Sequence, residues 1–253
     1  MNYLSQKNPH PLDKSIEFKE NGHIYTVDGD SNYMSVTKWN HSHFPPFDTD
    51  KIISGMMKKE YKPGDKYYGM SADEIKETWR KNGEVSSALG TKLHYDIECY
   101  YNKESQKNDT IEYKYFLKFA EDHKDLEAFR TEWMIWDKEL KLAGSIDMVF
   151  KNTDGTYSIY DWKRSKGITM TSGFNVFANT KCVNHLPDTN YWHYSLQLNT
   201  YKFLLEKNYG ITVKDLYLIC LHPDNKNGNY QKIKAADLES EVNDLLGFRL
   251  NSL

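Results

Sequence analysis

The chain has 253 residues, enough for one large domain or two small ones with a sizeable buried core. Its 33 Lys and Arg against 36 Asp and Glu leave a formal charge of -3, which excludes a bulk polycation but leaves room for a local basic patch. Three scattered cysteines with no CxxC spacing exclude a disulfide framework, a zinc ribbon and a cysteine-ligated cluster. There is no apolar leader and no run near the roughly 20 apolar residues of a membrane span, so a soluble intracellular protein is expected.

Met1 to Asp13 are polar with two prolines and read as a loose arm. Ile16 to Lys19 and His23 to Val27 alternate around Asn21-Gly22, a hairpin signal. Ser35 or Thr37 caps a short helix through Trp39, and the same hydroxyls could contact a phosphate. After Pro45-Pro46 a helix is expected from about Phe47 to Tyr61, and Lys58, Lys59, Lys62 and Lys66 make that region locally basic. Ser71 to Glu74 has the form of a capping box, opening a helix to about Lys81.

From Glu84 to about Lys103, Val85, Leu89, Leu93, Ile97 and Tyr101 recur every four positions, as on an amphipathic helix. Gly90, His94 and Glu98 stack on the neighbouring stripe. Gly90 costs roughly 1 kcal/mol against alanine, so close packing or backbone approach to a ligand is expected there. A helix follows from Ile111 to about His123, then a strand from Ala128 to Trp136 with Glu132 at its centre.

Ala143 to Phe150 and Ile159 to Lys166 read as strands joined by the turn Asn152-Thr153-Asp154-Gly155. Alternation puts Asp161 and Lys163 on one face and Tyr160 and Trp162 on the other. Antiparallel pairing brings Asp147 near Asp161, and converging carboxylates repel unless a cation lies between them. Gly167 to Asn190 is a loop, Tyr191 to Tyr209 a helix, Leu216 to Leu221 a buried strand, Tyr230 to Lys234 an edge strand and Ala235 to Leu246 a closing helix.

This order, an αβββαβ core with a mixed central sheet flanked by helices (α/β or α+β), resembles the PD-(D/E)xK nuclease superfamily and its RecB-like exonuclease branch. Gly90-Thr91-Lys92-Leu93-His94 to Glu98 is similar to the GTxxHxxxE helix, Gly144 to Asp147 to the first acidic strand, Asp161-Trp162-Lys163 to the D/ExK strand, and Gln197 to Tyr201 to QxxxY. Glu132 falls where relatives carry an acid ahead of the first Asp. The hairpin and Ser35-Val36-Thr37 further resemble the mitochondrial genome maintenance exonuclease family and its phage or viral relatives. Ile146 replaces the proline of the superfamily name, and the cysteines of relatives with an iron-sulfur cluster are missing, so no cluster is expected.

The resemblance implies a single nuclease domain, with residues 1–82 as an N-terminal hairpin and helical region and 83–253 as the core. It implies Mg²⁺ or Mn²⁺, one or two ions, held by His94, Asp147, Asp161 and the Trp162 carbonyl, with Lys163 and Glu98 in the catalytic set and Glu132 behind it. Gln197, Tyr201, Arg164, Lys166, Ser35 and Thr37 would bind DNA, and Trp39, Tyr67, Tyr68 or Phe174 could stack unpaired bases. The implied activity is a DNA exonuclease on single strands or ends, in replication, recombination or repair. An endonuclease of the same superfamily and a non-cleaving DNA-binding module are the alternatives.

Overall fold

Residues 2–13 do not form a loose arm in the computed structural model, which describes residues 2–173 and 175–253. Tyr3–Lys7 (α1) buries Leu4, whose N–H donates to Asn102 Oδ1, and a 3₁₀ turn follows at Pro11–Ser15. What ties this segment down is a buried cation: Arg130 donates to Asp13 Oδ2 at 2.8 Å and to the Asn8 carbonyl at 3.0 Å. A buried guanidinium without such partners would be strongly destabilising.

The hairpin forms as its alternation predicts, from Ile16–Lys19 (β1) and Ile24–Val27 (β2), with Gly22 supplying a φ of 89° at the turn. Met34–Ser35 (β3) leads into Val36–His41 (α2), capped by the Ser35 hydroxyl, which accepts from the Lys38 N–H. Pro46–Lys92 is a separate compact unit from the rest of the chain. It holds Thr49–Met56 (α3), shorter than expected, and most of Ala72–Tyr101 (α4). The Ser71–Glu74 capping box opens α4, with mutual bonds of 2.7 and 3.3 Å. The two expected helices are one, because Gly83 lowers helix propensity without blocking a backbone hydrogen bond.

Ile111–Asp122 (α5), Glu127–Asp137 (β4), Leu142–Lys151 (β5), Tyr157–Lys163 (β6), Asn190–Asn208 (α6), Val213–Cys220 (β7) and Gln231–Lys234 (β8) follow the expected order. Glu239–Leu250 (α7) starts four residues later than predicted. Asn199 on α6 is the reason, its side chain bonding the Ala236 carbonyl and the Leu238 N–H and so fixing that stretch in a non-helical path.

The mixed six-stranded sheet runs β3-β5-β6-β7-β8, with β4 against the other side of β5. On one edge β5 pairs with β3 at residues 142–143 and with β6 at 148–151. Gly144 to Asp147 lie between those two ladders, leaving a notch in the sheet. One face buries Ile146, Val149, Ile159 and Leu218 beneath α2, α6 and α7. The other buries Met148, Phe150, Tyr160 and Trp162 beneath α5 and the end of α4. Strand alternation thus assigns Asp161 and Lys163 to the α6 side, whereas Asp147 lies where the alternation of β5 breaks, between Ile146 of one face and Met148 of the other. Among the described residues no helix is long and apolar enough to cross a membrane.

Candidate active site

The β5–β6 ladder ends at Met148 and Tyr160, one residue short of Asp147 and Asp161. Where backbone pairing stops, the Asp147 carboxylate takes over, its Oδ2 accepting the Trp162 N–H at 2.9 Å. Asp161 is 3% exposed, and its Oδ2 lies 2.6 Å from Lys163 Nζ but makes no hydrogen bond of acceptable geometry among the described residues. Burial pushes the Asp161 carboxyl up to about 6 despite Lys163. Asp147 is raised by burial as well, with His94 pulling it down and Glu132 pushing it further up. Two carboxyls, one buried and one half-buried, displaced in the same direction mark a place short of positive charge.

His94 enters from α4. Its Nε2 is 2.8 Å from the Trp162 carbonyl oxygen, and its Nδ1 is 3.5 Å from Asp147 Oδ2 and 3.8 Å from Glu132 Oε1. Burial would lower this imidazole, but Asp147 and Glu132 outweigh it and hold the ring at about 9.

Glu132 stands opposite Asp147, between the pairs Thr131–Met148 and Trp133–Ile146. Its backbone has a φ of 41°, a left-handed conformation that costs a non-glycine residue roughly 1–2 kcal/mol. Ser145 Oγ donates to Glu132 Oε2 at 3.0 Å and fixes the carboxylate. Expected behind the metal set, Glu132 lies against it: one ligand atom each from His94, Glu132 and Asp147 lie within 4.8 Å of one another. Glu98, one turn beyond His94, is half-buried and lifted to about 7 by burial and then by Glu132. Both glutamates line a cavity of about 180 Å³ shared with Asp13, Asn102 and Arg130.

An imidazole nitrogen, three carboxylates and a backbone carbonyl form a donor set suited to a hard or borderline divalent cation. The buried Asp161 oxygen without a hydrogen bond is the observation that fits a cation best.

Around this centre the expected DNA-contacting residues divide. Gln197 Nε2 donates to Thr37 Oγ1 at 2.9 Å and to the Tyr201 hydroxyl at 3.2 Å, a polar seam between α2 and α6. The Tyr201 ring crosses the notch over Gly144. Lys166 is exposed and 3.2 Å from Asp224. Arg164 is half-buried against Glu112, with Nε 2.7 Å from Oε1, and braces the end of β6 on α5. Glu112 was not singled out from the sequence, where beside the Thr110 cap it reads as an ordinary helix-start acid. Tyr194 was passed over too, although it precedes Gln197 by three positions on α6. Of the candidate stacking rings, Trp39 is core at 3% exposure, Tyr67 is bonded to Trp79, Tyr68 is 53% exposed, and Phe174 lies outside the described residues.

The family model described as the PD-(D/E)XK nuclease superfamily matches residues 69–248. No curated protein matches the chain. Among solved structures, SSO0001 is similar at 14% identity over 88% of this chain and 78% of its own, with a TM-score of 0.36. An inferred exonuclease from Eubacterium rectale is similar at 11% identity over 87% of this chain and 78% of its own, with a TM-score of 0.44.

Proposed function

The chain belongs to the PD-(D/E)XK nuclease superfamily, and from that premise we propose that it is a metal-dependent DNA exonuclease of the RecB-like kind. Its substrates are single strands or DNA ends met in replication, recombination or repair. The observation that carries this reading is the convergence of Asp147, Asp161, Lys163, His94 and Glu132 at the open end of the β5–β6 ladder. A protein that only bound DNA would gain nothing from carboxylates that repel phosphate.

Asp147, Asp161, His94, Glu132 and the Trp162 carbonyl would hold Mg²⁺ or Mn²⁺, the imidazole tilting the preference toward Mn²⁺. The bound ion supplies Lewis acidity toward the scissile phosphate and lowers the pKa of a water. Lys163, kept charged by Asp161 and Asp147 against the cost of burial, orients the attacking water and balances the charge that develops on phosphorus. Glu98, lifted to about 7, exchanges a proton near neutral pH and is placed to relay it through the adjoining cavity. Gln197 and Thr37 offer neutral donors to the DNA backbone, with the buried Tyr201 hydroxyl bonded behind Gln197 and with Lys166 and Ser35 as further contacts. Arg164 acts indirectly, by bracing β6.

The test is a time course of wild type and Asp161→Asn on end-labelled linear single strands, linear duplex and circular DNA, with Mg²⁺, Mn²⁺ or chelator. Metal-dependent loss of linear DNA that spares circles and is absent in the variant is expected. Cutting of circles would replace the exonuclease by an endonuclease, and binding without any cutting would replace it by a DNA-binding module.

A further inference from the structure

Lys163 is held from two sides. Its Nζ lies 2.6 Å from Asp161 Oδ2 and 4.4 Å from the centre of the Tyr194 ring, and the lysine side chain is 17% exposed. Tyr194 itself packs against the core beneath α6, so the ring is a fixed wall. An ammonium over the face of a desolvated aromatic ring is attracted by the ring's quadrupole.

We propose that Tyr194 is the positioning residue for Lys163, its ring face holding the ammonium toward the scissile phosphate. This rests on the nuclease reading above. A lysine carries a flexible four-carbon stem, and its ordering has to be supplied by contacts on the ammonium. Asp161 alone is a poor anchor, because the same oxygen is wanted by the cation. A neutral ring adds no further negative charge to the carboxylates that already act on Lys163, and it would keep its hold were Asp161 to hold a metal. Tyr194 also sits one turn before Gln197 on α6, so the helix that carries the QxxxY pair carries the lysine's wall.

The test places phenylalanine and then mono-, di- and trifluorophenylalanine at position 194 of the full chain, beside Tyr194→Leu and Lys163→Ala. Fluorination drains the ring face of negative charge at nearly constant shape, which a merely structural role would not register. With Mn²⁺ and linear single strands, phenylalanine should cut at close to the wild-type rate. The kcat should then fall stepwise by about ten-fold across the series, with KM unchanged and Tyr194→Leu at the low end. A flat series, a change confined to KM, or loss of activity with phenylalanine alone would overturn the inference while leaving the nuclease standing. Normal cutting by Lys163→Ala would also overturn it, and a wild type that cuts nothing would overturn both.

Discussion

Gly144 and Tyr201 are in direct contact across the notch in β5: a Cβ on residue 144 would stand 2.7 Å from Tyr201 Cε1 and 2.9 Å from its hydroxyl oxygen. The glycine of the first acidic strand and the tyrosine of QxxxY are therefore one feature, since the ring can cross the strand only where no side chain stands. Gly144→Ala is expected to cost about 1–3 kcal/mol of overpacking, read in urea unfolding, and to cut activity by moving Tyr201 off Gln197. Gly90 is the control. A Cβ there meets nothing within 4 Å, so the close packing expected from the sequence is absent. Gly90→Ala should stabilise the protein by about 1 kcal/mol with activity unchanged. A stable, fully active Gly144→Ala would refute the contact's role, and lost activity in Gly90→Ala would return a ligand to that helix.

Glu132 combines a φ of 41° with a carboxylate aimed at Asp147 and His94. On the function proposed above, its geometry serves a ligand at the expense of the fold. Glu132→Gly should relieve roughly 1–2 kcal/mol of left-handed strain, offset by the extra chain entropy of glycine, for a net gain of up to about 1 kcal/mol. Mn²⁺ binding measured by calorimetry should weaken at least ten-fold in the same variant. A destabilised variant that binds Mn²⁺ like wild type would show that the strain has no such purpose.

The sequence made the core legible because its signals are local. Alternation located β4 to β6, the Asn152 to Gly155 turn fixed their pairing, and the i, i+4 stripe put His94 and Glu98 on one helix face. What it could not show were choices settled by distant partners. Arg164, expected at the DNA, is also paired to Glu112, 52 positions away, a partner no local signal reveals. Trp39 looked available for stacking, yet the α2 side of the sheet buries it. Glu132 gave no sign of its backbone conformation, which arises only when β4 crosses the acidic end of β5.

The N-terminal segment shows the same dependence on distance. Asp13 accepts from Arg130 on one oxygen and from Trp133 Nε1, at 2.9 Å, on the other, and Arg130 lies over the Trp133 ring at 4.6 Å. Asp13→Ala leaves a nearly buried guanidinium short of its anion and should cost about 3 kcal/mol in urea unfolding. Arg130→Met with Asp13→Asn should recover much of that loss, since both charges are then gone. Stability unchanged in Asp13→Ala would mean that α1 and the turn after it add nothing to the fold.

His43 gives the fold a pH dependence away from the metal centre. Its Nδ1 is 3.0 Å from Thr180 Oγ1, while its Nε2 is buried with no hydrogen-bond partner among the described residues. Burial, helped by the Arg249 cation, lowers the ring from 6.5 to about 4. The folded-state value lies below the unfolded one, so the unfolded chain binds the proton more readily. The stability tied to the neutral ring is therefore intact above about pH 6.5, declines as the pH falls, and is fully lost below about 4. Allowing for partial solvent screening, the loss by pH 5 is on the order of 1–2 kcal/mol. Urea unfolding of wild type and His43→Gln at pH 7.5, 6 and 5 isolates this effect, because the other titrating groups cancel in the difference. The wild type should lose ground against the variant by about that amount as the pH falls. A gap that stays constant from pH 7.5 to 5 would mean that His43 accepts its proton as easily folded as unfolded.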